Sequence, residues 1–117
     1  MKLLNSMFNV VGNNADNMQV KLNADHDIYK AHFPGNPITP GVCIVQFIGE
    51  LLSDRLHRNL SLDRVVNLKF VSTISPTEDP VIAVCFTAVE DTGTACKAKG
   101  SIMSGSEVKT KFSVVFK

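Results

Sequence analysis

Alternation of apolar and polar side chains predicts about six β-strands, because successive side chains of a strand point to opposite faces of a sheet. The strands are expected near residues 1–11, 18–22, 66–71, 81–90, 96–102 and 108–116. The turn signals between neighbouring strands are Gly12-Asn13-Asn14, Asp91-Thr92-Gly93 and Ser104-Gly105. Turns this short join antiparallel strands.

One stretch, residues 41–52, predicts a long helix. Apart from Gln46 and Glu50, its side chains are apolar or small around the whole circumference, and such a helix is buried on all sides. Thr39 suits the N-cap and Pro40 the first helical position. A single helix can be surrounded by apolar contacts only when a sheet wraps around it. The pattern therefore predicts an α+β fold, with a curled antiparallel sheet wrapped around one long central helix.

Composition narrows the class of protein. The chain has 117 residues, enough for a single domain over residues 1–117, and 44% of them are hydrophobic. Lys and Arg number 12 and Asp and Glu 11, so no net field favours nucleic acid or an acidic membrane. No apolar run reaches the length of a membrane span, and residues 1–11 do not resemble a secretion signal. A small domain of this kind often gains stability by dimerising.

Three cysteines, Cys43, Cys85 and Cys96, form no closely spaced pair. An odd count without a CxxC motif favours free thiols in a reducing compartment, and hence a cytoplasmic location. The three histidines show no ligand spacing, so no metal site is expected.

The chemistry of the chain is concentrated in residues 32–41, which read HFPGNPITPG. Residues 24–39 have no clear periodicity and are expected to form a loop, and the prolines and glycines of the motif restrict its path. That path delivers His32 to a fixed place before the N-terminus of the helix, where backbone N–H groups, including that of Gly41, lack intrahelical acceptors. Such N–H groups can polarise a thioester or ketone oxygen while an imidazole removes the adjacent acidic proton.

This motif, followed by an apolar helix, resembles the signature of the 3-hydroxyacyl-acyl-carrier-protein dehydratases, which have the hotdog fold. The likeness is specific over residues 32–50 and covers the element order of the whole chain. It implies that His32 is the catalytic base, that the carbonyl of Ile38 orients it, and that the N–H of Gly41 binds the thioester carbonyl. The family places an acid, contributed by the other subunit, fourteen residues after the histidine. That position is Gln46 here, and Glu50 stands where the family usually has a glutamine.

The exchange of the acid and the glutamine between positions 46 and 50 affects which group can protonate the leaving hydroxyl. A glutamine amide has no proton to give to a departing hydroxyl. Glu50 lies one helical turn further on the same face and could act through a water molecule. Alternatively, Gln46 and Glu50 form a buried amide–carboxyl pair with a structural role. Tyr29 and Phe33 flank His32 and either line an acyl tunnel or pack in the core.

The resemblance implies dehydration of 3-hydroxyacyl-acyl-carrier-protein thioesters to trans-2-enoyl thioesters, in fatty-acid or related acyl-chain biosynthesis. The expected assembly is a homodimer or higher homo-oligomer, or a heterodimer with a paralogue. No cofactor is implied, because the phosphopantetheine arm arrives with the substrate. The alternatives are an acyl thioesterase, or a non-catalytic hotdog subunit that binds acyl carrier protein or an active paralogue. Seven cationic side chains could dock an acidic carrier protein: Arg55, Arg58, Arg64, Lys97, Lys99, Lys109 and Lys111.

Overall fold

A computed structural model describes residues 2–14, 17–31 and 35–117. The helices are α1 (Asp27–Ala31) and α2 (Gly41–Leu56). The strands are β1 (Phe8–Asn14), β2 (Asn17–Leu22), β3 (Leu62–Phe70), β4 (Val81–Asp91), β5 (Cys96–Ser104) and β6 (Glu107–Phe116). No helix among the described residues combines the length and the apolar content needed to cross a membrane.

Within the described residues, the six strands form one sheet in the order β1-β2-β4-β5-β6-β3, and every neighbouring pair is antiparallel. The order places β1 and β3 at the two edges of the sheet. Helix α2 packs against one face of it, where its buried side chains meet those of the strands. The α2 part of this core is Cys43, Ile44, Phe47, Ile48, Leu51 and Leu52. The β6 part is Phe112, Val114 and Phe116, three alternate residues that share one face.

The predicted strands are all present, but the boundaries of the first are wrong. β1 begins at Phe8, and the segment before it folds back, since the N–H groups of Ser6 and Met7 both donate to the carbonyl of Leu3. The residues predicted to form the first turn, Gly12–Asn14, belong to β1. A further difference is α1, five residues long, which lies inside the stretch predicted as a loop. A single helical turn is too short to produce a periodic pattern.

The long helix is confirmed, with two corrections at its start. Pro40 is the N-cap residue, not the first helical residue, and no side chain caps the helix. Thr39 is instead buried, with its backbone N–H donating to the carbonyl of Ile74. The expectation that α2 is buried on every side is also wrong for this chain alone, because Val42 is 71% exposed.

The sheet is irregular where β4 meets β5. The register shifts between Phe86 and Ala88 of β4, and Gly100 of β5 lies opposite this bulge. A Cβ atom at Gly100 would lie 1.9 Å from the carbonyl oxygen of Cys85 and 2.8 Å from the ring of Phe112. The strands can approach this closely only because Gly100 has no side chain.

Candidate functional site

The predicted base and its neighbour, His32 and Phe33, lie outside the described residues. The described chain reaches Ala31 at the end of α1 and resumes at Gly35. Both roles, base for His32 and tunnel lining for Phe33, therefore stay predictions. The structure does describe the elements on either side of the motif, and these define the surroundings of the site.

The N-terminus of α2 is the first of these elements. Gly41 is its first residue, so its N–H group belongs to the four at a helix start that have no intrahelical acceptor. The ring of Phe70, at the end of β3, packs directly on this residue, and a Cβ atom at Gly41 would lie 2.8 Å from the ring. Ile38, the other backbone position implied by the resemblance, is half-buried just ahead of the helix. Glycine at position 41 thus allows a close approach between the helix start and an aromatic ring.

Tyr29 lies in the core and holds the two sides of the motif together. Its side chain is 1% exposed, and its hydroxyl shares a hydrogen bond of 2.8 Å with Oγ1 of Thr39. Burial raises the pKa of Tyr29 to about 12, although the bond to Thr39 opposes the shift. The phenol is therefore neutral at physiological pH. The sequence allowed two roles for Tyr29, in the wall of an acyl tunnel or in the core. Its position among core side chains favours the core.

One face of α2 lines a cavity of about 420 Å³. The helical part of its wall is Val42, Val45, Gln46, Gly49 and Glu50, positions that share one face of a helix. The remainder is Leu60, Ser61, Leu62 and Phe116. The structure therefore brings Gln46 and Glu50 to the same cavity, which begins one residue after Gly41.

Glu50 is bound to the N-terminal segment of the chain. Its two carboxylate oxygens accept hydrogen bonds from the N–H of Leu3, each at 2.9 Å, and Oε1 accepts a third from Leu4 at 2.9 Å. A second cavity of about 480 Å³ lies on the other side of Glu50, at the C-terminal end of α2. Glu50 and Leu60 line both cavities. No local pattern could have revealed this contact, since its partners are 46 and 47 residues apart.

The exposed apolar side chains of α2 and of the edge strand β3, which we call the exposed apolar face, include Val42 and Leu62, and these two line the same cavity. The most exposed member of this face on the helix is Val42, and β3 and the residue after it contribute the others. These are Leu62, Val65, Val66, Phe70 and Val71, each between 43% and 53% exposed. Exposed apolar side chains along a strand that has one free edge within the described sheet are characteristic of a surface that another chain covers.

Among the cationic side chains considered for docking, Lys109 does not lie on the surface. It is 7% exposed, and its Nζ atom lies 3.5 Å from a carboxylate oxygen of Asp79. Asp79 also accepts a hydrogen bond of 2.7 Å from the hydroxyl of Ser104. Burial alone would raise the pKa of Asp79, but the bonds from Ser104 and from the N–H of Ser75, together with the charge of Lys109, outweigh it and lower the pKa. The alternation of apolar and polar residues along β6 predicts a solvent-exposed Lys109 and gives no indication of this ion pair.

Cys43 lies one residue beyond Val42, on the buried face of α2. Burial raises the pKa of its thiol, so it stays protonated near neutral pH and is a poor nucleophile. Its contribution at the helix start is therefore apolar packing.

Comparison with known proteins identifies the family. The family model of ApeI-like proteins, described as ApeI dehydratase, matches residues 10–106. No curated protein matches the sequence significantly.

Three solved structures illustrate the fold. The dehydratase heterocomplex ApeI:P from Xenorhabdus doucetiae aligns with a TM-score of 0.60 at 14% identity, covering 86% of this chain and 84% of that chain. An uncharacterized protein from Erwinia carotovora subsp. atroseptica aligns with a TM-score of 0.56 at 18% identity, over 94% and 91%. A mutant thioesterase from Pseudomonas aeruginosa aligns with a TM-score of 0.60 at 8% identity, over 93% and 78%.

At these identities the structures establish the fold alone, and they confirm the predicted hotdog fold. The family match extends over most of the chain and includes the motif at residues 32–41. The chain therefore belongs to the ApeI-like dehydratase family.

Proposed function

We propose that the protein dehydrates 3-hydroxyacyl thioesters, carried by acyl carrier protein, to trans-2-enoyl thioesters. The observation that carries the proposal is the match to a dehydratase family over residues 10–106. The HFPGNPITPG motif within that range leads directly into the N-terminus of α2. This arrangement suits an elimination next to a thioester carbonyl, because a helix N-terminus offers oriented N–H donors to a developing oxyanion.

In the proposed reaction, His32 removes a proton from C2 of the acyl chain. The electron pair of that C–H bond forms the C2–C3 double bond, and the C3–O bond breaks. The leaving hydroxyl takes a proton from an acid and departs as water. The N–H of Gly41 holds the thioester oxygen as negative charge develops on it, and the carbonyl of Ile38 orients the imidazole. The reaction needs only a base, a carbonyl donor and an acid, so no cofactor of the protein takes part and the phosphopantetheine arm comes with the substrate.

The source of the acid divides the proposal into two arrangements. In a homodimer, Gln46 orients the departing hydroxyl, and Glu50 releases the N-terminal segment and gives a proton through water. In a heterodimer, the chain supplies His32 and Gly41, and a paralogous hotdog subunit supplies the carboxyl. The three hydrogen bonds from Leu3 and Leu4 to Glu50 favour the second arrangement, because they turn both carboxylate oxygens toward the chain's own backbone.

A partner subunit fits the exposed apolar face formed by Val42 and the edge strand β3. This face borders the cavity that contains Gln46, since Val42 and Leu62 line that cavity. A subunit bound here would cover the face and complete the cavity wall. The structure from Xenorhabdus doucetiae is named a dehydratase heterocomplex, ApeI:P, which supports pairing with a second, different subunit.

The experiment that tests the function offers the purified protein 3-hydroxyacyl and saturated acyl thioesters, each on acyl carrier protein and on coenzyme A. Formation of the 2-enoyl product supports dehydration, whereas free acid from either substrate supports a thioesterase in which Gln46 or Glu50 positions water. The His32→Ala variant should lose turnover while the protein remains folded. The matched control is His57→Asn, since His57 is an exposed C-cap residue in the left-handed region, with φ 56°, which asparagine tolerates.

The heterodimer is tested by adding a second hotdog subunit encoded by the same genome. Activity that appears only in the mixture, and that still requires His32 of this chain, supports the shared site. Full activity of the isolated chain with an unaltered rate in His32→Ala would overturn both arrangements.

A further inference from the structure

The Tyr29–Thr39 hydrogen bond links α1, which precedes the motif at residues 32–41, to the C-terminal part of the motif, just ahead of α2. Tyr29 belongs to α1, which ends one residue before His32 in the sequence, and Thr39 lies two residues before Gly41. Both side chains are almost fully buried, at 1% and 4% exposure, and their hydroxyl oxygens are 2.8 Å apart. A buried bond between two hydroxyls specifies a separation more narrowly than apolar packing does, because either hydroxyl is costly to leave unpaired.

Thr39 is itself fixed from the opposite side. Its backbone N–H donates to the carbonyl of Ile74 at 2.8 Å. The next residue, Ser75, donates its N–H to Asp79 at 3.0 Å, and the N–H of Asp79 donates back to the carbonyl of Ser75. Asp79 is in turn held by the buried Lys109. Polar contacts joined by the Ile74–Ser75 peptide bond therefore connect Lys109 of β6 to Thr39, two residues ahead of α2.

We propose that Tyr29 and Thr39 are positioning residues whose hydroxyl pair keeps the end of α1 and the N-terminus of α2 at a fixed separation. The inference rests on the proposed function, in which the N–H of Gly41 binds the thioester carbonyl. Neither side chain touches substrate. Their effect on the rate comes from alignment, since an ångström of displacement at a reacting centre can cost on the order of 100-fold in rate.

The test compares four variants. Tyr29→Phe and Thr39→Val each delete one hydroxyl and nearly preserve shape, the double variant deletes both, and Thr39→Ser keeps the hydroxyl. In each single deletion we expect kcat to fall about 10- to 100-fold with KM within about twofold of the wild type. Thr39→Ser should retain most of kcat. The matched control, Thr87→Val, removes an exposed hydroxyl on β4 and should leave both parameters unchanged.

The double variant separates positioning from stability. Because neither hydroxyl of the pair is left without its partner, its thermal stability should recover toward the wild-type value, but kcat should stay low because the hydrogen bond between the two positions is absent. If the double variant recovers both stability and kcat, the pair is only structural and the proposal is overturned.

Amide hydrogen exchange gives a readout that does not depend on activity. The N–H groups of Cys43 and Ile44 donate to the carbonyl of Pro40 and so report on the first turn of α2. We expect their exchange to become faster in both single variants and in the double variant, with no change in the amides of β6. This result in a protein without dehydratase activity would overturn the proposed function and leave the positioning role standing. Unchanged exchange in all three hydroxyl deletions would overturn the positioning role, whatever the activity.

Discussion

Replacing Glu50 distinguishes a catalytic acid from a residue that holds the N-terminal segment. In the structure its carboxylate receives the N–H groups of Leu3 and Leu4, all contacts being 2.9 Å. Hydrogen bonds to a charged acceptor contribute about 1.5–3 kcal/mol each when fully formed. The contacts are only partly buried, so water can replace some of their energy in a variant. We therefore expect Glu50→Ala to lose about 2 kcal/mol in the free energy of unfolding.

Glu50→Gln keeps one oxygen acceptor and loses the charge, so its expected loss is about 1 kcal/mol. For a domain of this size, 1 kcal/mol corresponds to about 4 °C in Tm. The alanine variant should then melt about 8 °C below the wild type and the glutamine variant about 4 °C below it. Circular dichroism during heating measures both, and Glu78→Gln, which changes an exposed carboxylate, is the control.

Dehydratase rates of the same proteins complete the comparison. If Glu50 is a structural residue, Glu50→Gln keeps the rate within about threefold at a temperature where it is folded. Removing a general acid costs about 10²–10⁴-fold. A loss of that size in Glu50→Gln, with a Tm equal to that of the wild type, would refute the structural role and make Glu50 the acid.

Three further predictions concern the cavity, the apolar face and the buried ion pair. Gln46→Glu should raise dehydration by the isolated chain about 100-fold if a missing acid limits it; an unchanged rate would mean that the acid is already present. If the exposed apolar face binds a second copy of the chain, Val42→Asp should abolish self-association in sedimentation velocity, whereas Val11→Asp, at another exposed valine, should not; dimers in both would place the interface elsewhere. Because its native pKa is lowered, Asp79 adds stability above its unfolded pKa of about 3.9 and loses it as pH falls through the lower native value. The stability gap between the wild type and Asp79→Asn, from urea unfolding, should therefore narrow below about pH 4, and a constant gap would contradict the lowered pKa.

Sequence patterns predict the strands and α2 because each has a sustained period. They cannot distinguish burial inside the chain from burial by another chain, and Val42 shows the consequence: it belongs to an apolar helix but is 71% exposed. The motif at residues 32–41 identified the family because its proline and glycine spacing is specific, although it says nothing about which subunit supplies the acid.

Long-range polar contacts were beyond sequence reasoning. The alternation along β6 predicts that Lys109 is exposed to solvent. In the structure it is buried and forms an ion pair with Asp79, thirty residues earlier in the chain. The role of Glu50 likewise depends on Leu3 and Leu4, whose side chains give no sign that their backbone N–H groups need an acceptor. Such contacts follow from the path of the backbone, which local periodicity does not determine.

Gly100 sets a limit on how this protein can be altered. A side chain there would collide with backbone as well as with Phe112, and backbone cannot turn aside as a side chain can. Saturation mutagenesis followed by selection for folded protein should accordingly return glycine alone at position 100. Gly35, whose Cβ position has no atom of the described residues within 4 Å, should accept many replacements in the same selection. The fraction of non-glycine residues recovered at position 100 therefore measures how strictly such a selection removes misfolded variants.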